Sequence, residues 1–130
     1  MNKIITNSSL ILLGAIFLCS FLFKQDDLIG QWRNERYGFE IRIFKQNELY
    51  FGHVTDAGNE KGNEKIKKGP MEVLKNYKQT SDSTYCCGQL FIPKFNTSIP
   101  ANINLTNSQN LTVIGYLFGI KATSHWKKIK

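Results

Sequence analysis

Two histidines, three cysteines and ten carboxylates carry whatever acid–base, nucleophilic or metal chemistry this 130-residue chain could perform. His53 and His125 sit among apolar and aromatic neighbours, with no Ser-His-Asp pattern around them. A general base needs a partner within hydrogen-bond reach, and no spacing implies one. The carboxylates fall in polar stretches or alternate with apolar residues, as on a solvated face, and no pair is spaced for glycosidase-type acid–base work. No catalytic residue is assigned, and an enzyme is not the expectation.

Cys86 and Cys87 are adjacent. Neighbouring strand residues point to opposite faces, which leaves three arrangements: one buried and one exposed free thiol, a strained vicinal disulfide, or an intermolecular bridge. An oxidising compartment favours disulfides in general, while disulfide geometry disfavours an adjacent pair. One core thiol and one outward thiol is therefore the expectation. The same geometry argues against zinc held by Cys86, Cys87, His53 and His125. No metal-ligand spacing occurs, and no cofactor is implied.

The elements that must position these side chains begin after an apolar run, Leu10 to Phe23. That run is shorter than the roughly 20 residues a membrane-spanning helix needs, and it matches the apolar core of an export signal. Residues 1–23 are read as a signal peptide or an uncleaved membrane anchor, and residues 24–130 as one domain. Cutting after Ser20 leaves Leu18 where a small residue is wanted. Lipidation at Cys19 is disfavoured by the Ile16-Phe17-Leu18 that precedes it. The protein is expected to be exported, to the periplasm, the cell exterior or the outward face of a membrane.

The net charge of +7 concentrates in "KGNEKIKKG" and in the tail Lys127, Lys128 and Lys130. Lys61, Lys65, Lys67 and Lys68 form a basic surface suited to anionic lipid or polyanionic envelope polymers. A merely solvated, solubilising face is the plainer reading. No aromatics interleave with these lysines, so nucleic acid is not an expected partner.

Strand signals dominate the domain. Phe39, Ile41 and Ile43 alternate with Glu40 and Arg42, Gln46-Asn47 reads as a tight turn, and "ELYFGHV" as the partner strand. Gly52 marks a bulge or a close backbone approach. Thr55 to Gly69 reads as a polar loop, and "PMEVLKNY" as one or two helical turns with Met71, Leu74 and Tyr77 on one face. "TYCCGQLFI", "IPANINL", "NLTVIGYLF" and "KATSHWKKI" complete the set, with Pro100 placing its strand at an edge or bulge. Six to eight short strands of this kind make a small antiparallel barrel or sandwich.

The order and spacing resemble a bacterial domain-of-unknown-function family of small exported proteins with a lipocalin-like barrel. The likeness spans nearly all of residues 26–128. It rests on Gly30-x-Trp32, the "YFGHV" strand, Lys68-Gly69, "GQLFIP", "NLTVIGY" and the closing Trp126-x-Lys128. The family usually shows Asp-Pro at Ile92-Pro93, an arginine at Ile114 and Trp-x-Arg at the close. The resemblance implies a mainly β fold, a lipocalin-like barrel of about eight strands with one short helical turn. It also implies that Gly30, Trp32, Trp126 and Lys128 close one barrel end, with the Trp32 indole across the floor and the Lys128 cation above it.

Trp32, Phe39, Phe51, Phe91 and Trp126 are then the candidate inward aromatics, a wall that could hold a small apolar or amphipathic molecule. With about 105 residues in the domain, side chains that fill the barrel are the stronger expectation. A carrier of a small hydrophobic molecule in the cell envelope ranks first. A non-catalytic interaction module, with a filled core and the Lys61 to Lys68 loop as its contact, ranks second.

Overall fold

The computed structural model describes residues 26–130. The signal or anchor reading of residues 1–23, Cys19 included, lies outside the described residues. Eight antiparallel strands follow one another around a closed barrel, each paired with its sequence neighbours and the last with the first. They are β1 (Gly30–Asn34), β2 (Glu40–Gln46), β3 (Leu49–Asp56), β4 (Glu72–Gln79), β5 (Thr84–Ile92), β6 (Thr97–Asn107), β7 (Asn110–Leu117) and β8 (Ile120–Lys128). One helix, α1 (Glu60–Lys68), lies between β3 and β4, and a short 3-10 turn, Pro93–Phe95, joins β5 to β6. A closed barrel is the observed fold; a sandwich is not.

Alternation builds the core. Ile41 and Ile43 of β2, Ile99, Ala101, Ile103 and Leu105 of β6, and Leu111 and Val113 of β7 are all buried, while their neighbours face outward, as period two requires. Gly52 sits where the β3–β4 register shifts, and a Cβ there would stand 3.0 Å from the Leu74 side chain. The expected close approach is present. Pro100 pairs with Gln89 of β5, and the β6–β7 ladder begins only at Ala101. Its missing N–H thus falls on a locally unpaired edge.

Two expected elements are exchanged. "PMEVLKNY" contributes a strand, β4, and the helix lies in the stretch read as a polar loop. The three-residue spacing of Leu74 and Tyr77 looks helical, yet both are buried from a strand because Asn76 between them has φ +62°. That left-handed residue shifts the alternation by one. Helix α1 buries no residue; Ile66 packs partly against the core. Its signals are at its ends. The Asn59 side chain accepts from the Gly62 N–H at 2.7 Å, Glu60 opens the first turn, and Lys65, Lys67 and Lys68 fill the last. Those charges suit the helix dipole. The β2–β3 turn also moves by one residue, to Asn47-Glu48, both with positive φ, the two-residue hairpin that matches strand twist.

Cys86 and Cys87 are joined in a vicinal disulfide, and neither is a core thiol. The expectation of one buried and one outward thiol assumed regular strand geometry. Cys87 has φ +69°, and this turn of the backbone relieves adjacent residues of pointing to opposite faces.

Candidate functional site: the two ends of the barrel

Chain direction reverses at every strand. The β1–β2, β3–β4, β5–β6 and β7–β8 connections therefore share one end, the mouth. Residues 26–29 and the other three turns share the opposite end.

That second end is sealed. Leu28 and Trp32 are fully buried, and the Trp32 indole N–H donates to the Leu28 carbonyl at 2.9 Å. Lys128 Nζ stands 5.5 Å from the Trp32 ring centre and donates to the Asp27 carbonyl at 2.8 Å. Trp32 and Lys128 are partners in the β1–β8 seam, so strand pairing itself places the cation beside the ring. Gly30 has φ +149°, and a Cβ there would lie 2.6 Å from the Lys130 carbonyl oxygen and 2.7 Å from Lys128 Cε. The chain passes too close for any side chain.

Above this floor the barrel is filled. Tyr50, Tyr77 and Tyr85 are buried beside Trp32, Ile41, Ile43, Leu74 and Ile103, and Tyr50 and Tyr85 meet edge to face at 5.0 Å. The Tyr50 hydroxyl donates to the Asp26 carboxylate. The buried Tyr77 hydroxyl has no hydrogen-bond partner, and its ring rests on Gly88, where a Cβ would stand 2.4 Å from the ring carbon Cδ2. Burial pushes the pKa of all three phenols well above the ordinary tyrosine value, and for Tyr50 the Asp26 hydrogen bond adds to it. These tyrosines were not among the expected inward aromatics, although Tyr50 shares its parity with Gly52 and Val54 of β3.

Of the five expected inward aromatics, three face the interior. Trp32 forms the floor. Trp126 is buried, its indole N–H donating to Ser124 Oγ at 3.0 Å. Phe39 meets the Trp126 ring edge to face at 4.9 Å. Phe51 and Phe91 face outward and are removed from the interior set. Phe51 stacks on Phe44 at 5.8 Å on the outer wall, because Tyr50, Gly52 and Val54 take the inward parity of β3. Phe91 lines a cleft on the outside of β4, β5 and β6 with Val73, Lys75, Gln89 and Ser98. The bulge between Tyr85 and Gly88 reverses the parity that the regular count from Tyr85 would give.

The mouth differs from the floor. Phe39, Ile66, Met71 and Leu90 pack against the core there while only partly buried. Lys61, Lys65, Lys67 and Lys68 all lie on α1 at this end and are exposed. The histidines stand apart from both ends. His53 Nε2 lies 3.2 Å from Glu72 Oε2 on the outer wall, a pairing that only the β3–β4 register reveals, and His125 Nδ1 lies 3.3 Å from Thr112 Oγ1. Among the described residues, no three His, Cys, Asp or Glu side chains are grouped to hold a metal ion.

A family profile described as uncharacterized protein conserved in bacteria, DUF2147, matches residues 30–128. The chain belongs to that family. Among solved structures it is similar to protein HP1028 from the human pathogen Helicobacter pylori, which belongs to the lipocalin family. The likeness has a TM-score of 0.65 at 13% identity, over 79% of this chain and 83% of that one. At that identity the likeness is one of fold, and this DUF2147 barrel shares it. No curated protein matches the chain.

Proposed function

We propose that this is an exported, non-catalytic binding protein of the cell envelope whose mouth takes the apolar part of a small amphipathic molecule. The difference between the barrel's two ends carries the reading. One is sealed by Leu28, Trp32 and Lys128, while the other leaves Phe39, Met71 and Leu90 partly exposed against the core. The lower interior is occupied by the tyrosines, so the ligand inserts a short apolar segment and keeps its polar group outside. The lipocalin-like fold is consistent with such cargo, though fold alone does not assign function. The apolar run from Leu10 to Phe23 supports export.

Each methylene entering an apolar site contributes about 0.8 kcal/mol, roughly fourfold in affinity. Titration with a series of fatty acids of increasing length, read by native mass spectrometry, should therefore show affinity rising and then levelling once the mouth is full. Leu90→Lys should abolish the rise while near-ultraviolet circular dichroism stays native. No adduct at any chain length, or equal adducts in Leu90→Lys, would overturn the reading.

A further inference from the structure

The exposed large apolar side chains are unevenly placed. Among the described residues, Tyr37, Phe95, Tyr116, Phe118 and Ile120 all lie at or beside the mouth, and Ile29 alone lies at the sealed end. Phe118 is 80% exposed and Ile120 72%. They sit on the β7–β8 hairpin, whose tip is Phe118-Gly119, both with positive φ. Such a turn favours Asn, Asp or Gly in its first position, as Asn47 provides in the β2–β3 turn. A phenylalanine there is disfavoured by its backbone conformation and by its contact with water. Neither packing nor turn chemistry accounts for it. Phe95, from the neighbouring β5–β6 connection, meets the Phe118 ring edge to face at 5.7 Å, so the two tips form one apolar point.

Positive charge lies beside that point. The mouth connections carry Arg36, Lys61, Lys65, Lys67, Lys68 and Lys94 against Glu35, Glu60 and Glu64, and the strand ends beside them add Lys121 against Glu40, Asp56 and Glu72. Lys94 Nζ lies 5.8 Å from the Phe95 ring centre, and Lys121 pairs with Tyr116 across the hairpin. At the sealed end, Asp26, Asp27, Glu48 and Asp82 stand against Lys45, Lys78, Lys127, Lys128 and Lys130. The charge is uneven around the mouth: its acids all flank the β1–β2 and β3–β4 connections, while the β5–β6 connection and the β7–β8 hairpin, which carry the apolar tips, hold Lys94 and Lys121 and no carboxylate. Aromatic tips flanked by lysines suit the boundary of an anionic bilayer: rings enter below the headgroups, ammonium groups meet phosphates, and tyrosines sit at headgroup level. The outer wall bears Arg33, Glu40, Arg42, Lys75 and Lys78, which keeps the barrel itself in water.

We infer that the mouth rim docks on an anionic lipid bilayer by inserting Phe118, Ile120 and Phe95 while Lys94, Lys121 and the α1 lysines bind headgroups. This goes beyond the cargo reading and stands or falls without it.

The test is Phe118→Trp in the full chain, mixed with vesicles of phosphatidylglycerol and phosphatidylcholine whose acyl chains are brominated. The new indole should be quenched by the anionic vesicles and little by pure phosphatidylcholine. Lys94→Gln or Lys121→Gln should each weaken the vesicle titration about fivefold. The readout sits at residue 118, at the opposite end of the barrel from residue 26, so membrane insertion of the Leu10 to Phe23 run does not produce it. Because Phe118 is exposed, the buried Trp32 and Trp126 should keep their native near-ultraviolet signal. Vesicle-bound protein with an unquenched residue 118 overturns the inference. So does quenching indifferent to lipid charge, and so does a lipid-free blue shift that grows with protein concentration, which would mark a second copy as the occupant.

Discussion

Glycine is required at Gly30 and merely convenient at Gly119, and the two separate steric from conformational cost. Both have positive φ, but nothing lies within 4 Å of a Cβ at Gly119, whereas one at Gly30 meets the Lys130 carbonyl and the Lys128 stem. Gly119→Ala should cost about 1 kcal/mol, the ordinary left-handed penalty. Gly30→Ala should cost about 3 kcal/mol, because backbone must also move. Urea denaturation of the two variants checks the difference; equal costs would mean that the sealed end yields easily. At this scale the sequence was partly legible. Gly30-x-Trp32 with Lys128 was legible through the family resemblance; Phe91 could not be oriented, because the bulge before Gly88 resets the inward count, whereas Phe51 faces outward by the regular parity of Tyr50, Gly52 and Val54.

The exchange of helix and strand between residues 55 and 79 shows how elements mislead. Leu74 and Tyr77 have helical spacing, and a single left-handed Asn76 produces the same spacing in a strand. Helix α1, in turn, has no apolar stripe to announce it, so its stability rests on its ends. Asn59→Ala removes the cap on the Gly62 N–H and should cost about 1 kcal/mol of local helix stability. Amide exchange across Asn63 to Lys68 should then quicken about fivefold, while β4 amides stay protected. Unchanged exchange in α1 would mean that Ile66 and the Asp56–Asn63 contact, not the cap, hold the helix.

For the whole molecule, the interior tyrosines link folding to pH. Burial raises the pKa of Tyr50, Tyr77 and Tyr85 far above the 10.0 of a solvated phenol. Above that pH the unfolded chain releases phenolic protons that the folded barrel retains. The unfolded state then binds fewer protons, and stability falls as pH rises. Melting temperature should hold up to about pH 10 and then drop. Tyr77→Phe should make the drop shallower, and it removes a buried hydroxyl that lacks a partner, so its stability at pH 7 should rise by about 1 kcal/mol. An equally steep drop in Tyr77→Phe would place that ring in contact with water.

Composition and alternation were sufficient for the class of fold. Period-two apolar residues spaced by short turns can bury their inner faces only by stacking or closing the sheet, and the resemblance to lipocalin-like barrels chose closure. The basic character of one stretch, and the glycine, tryptophan and lysine of the seal, were likewise present in one dimension. Tertiary structure alone decided which face each aromatic takes, that Cys86 and Cys87 bond, and that Phe95 and Phe118 meet at the mouth beside Lys94. Those outcomes depend on bulges, left-handed residues and strand register. Each displaces a side chain by one position, and a one-residue shift exchanges the inside of a barrel for its outside.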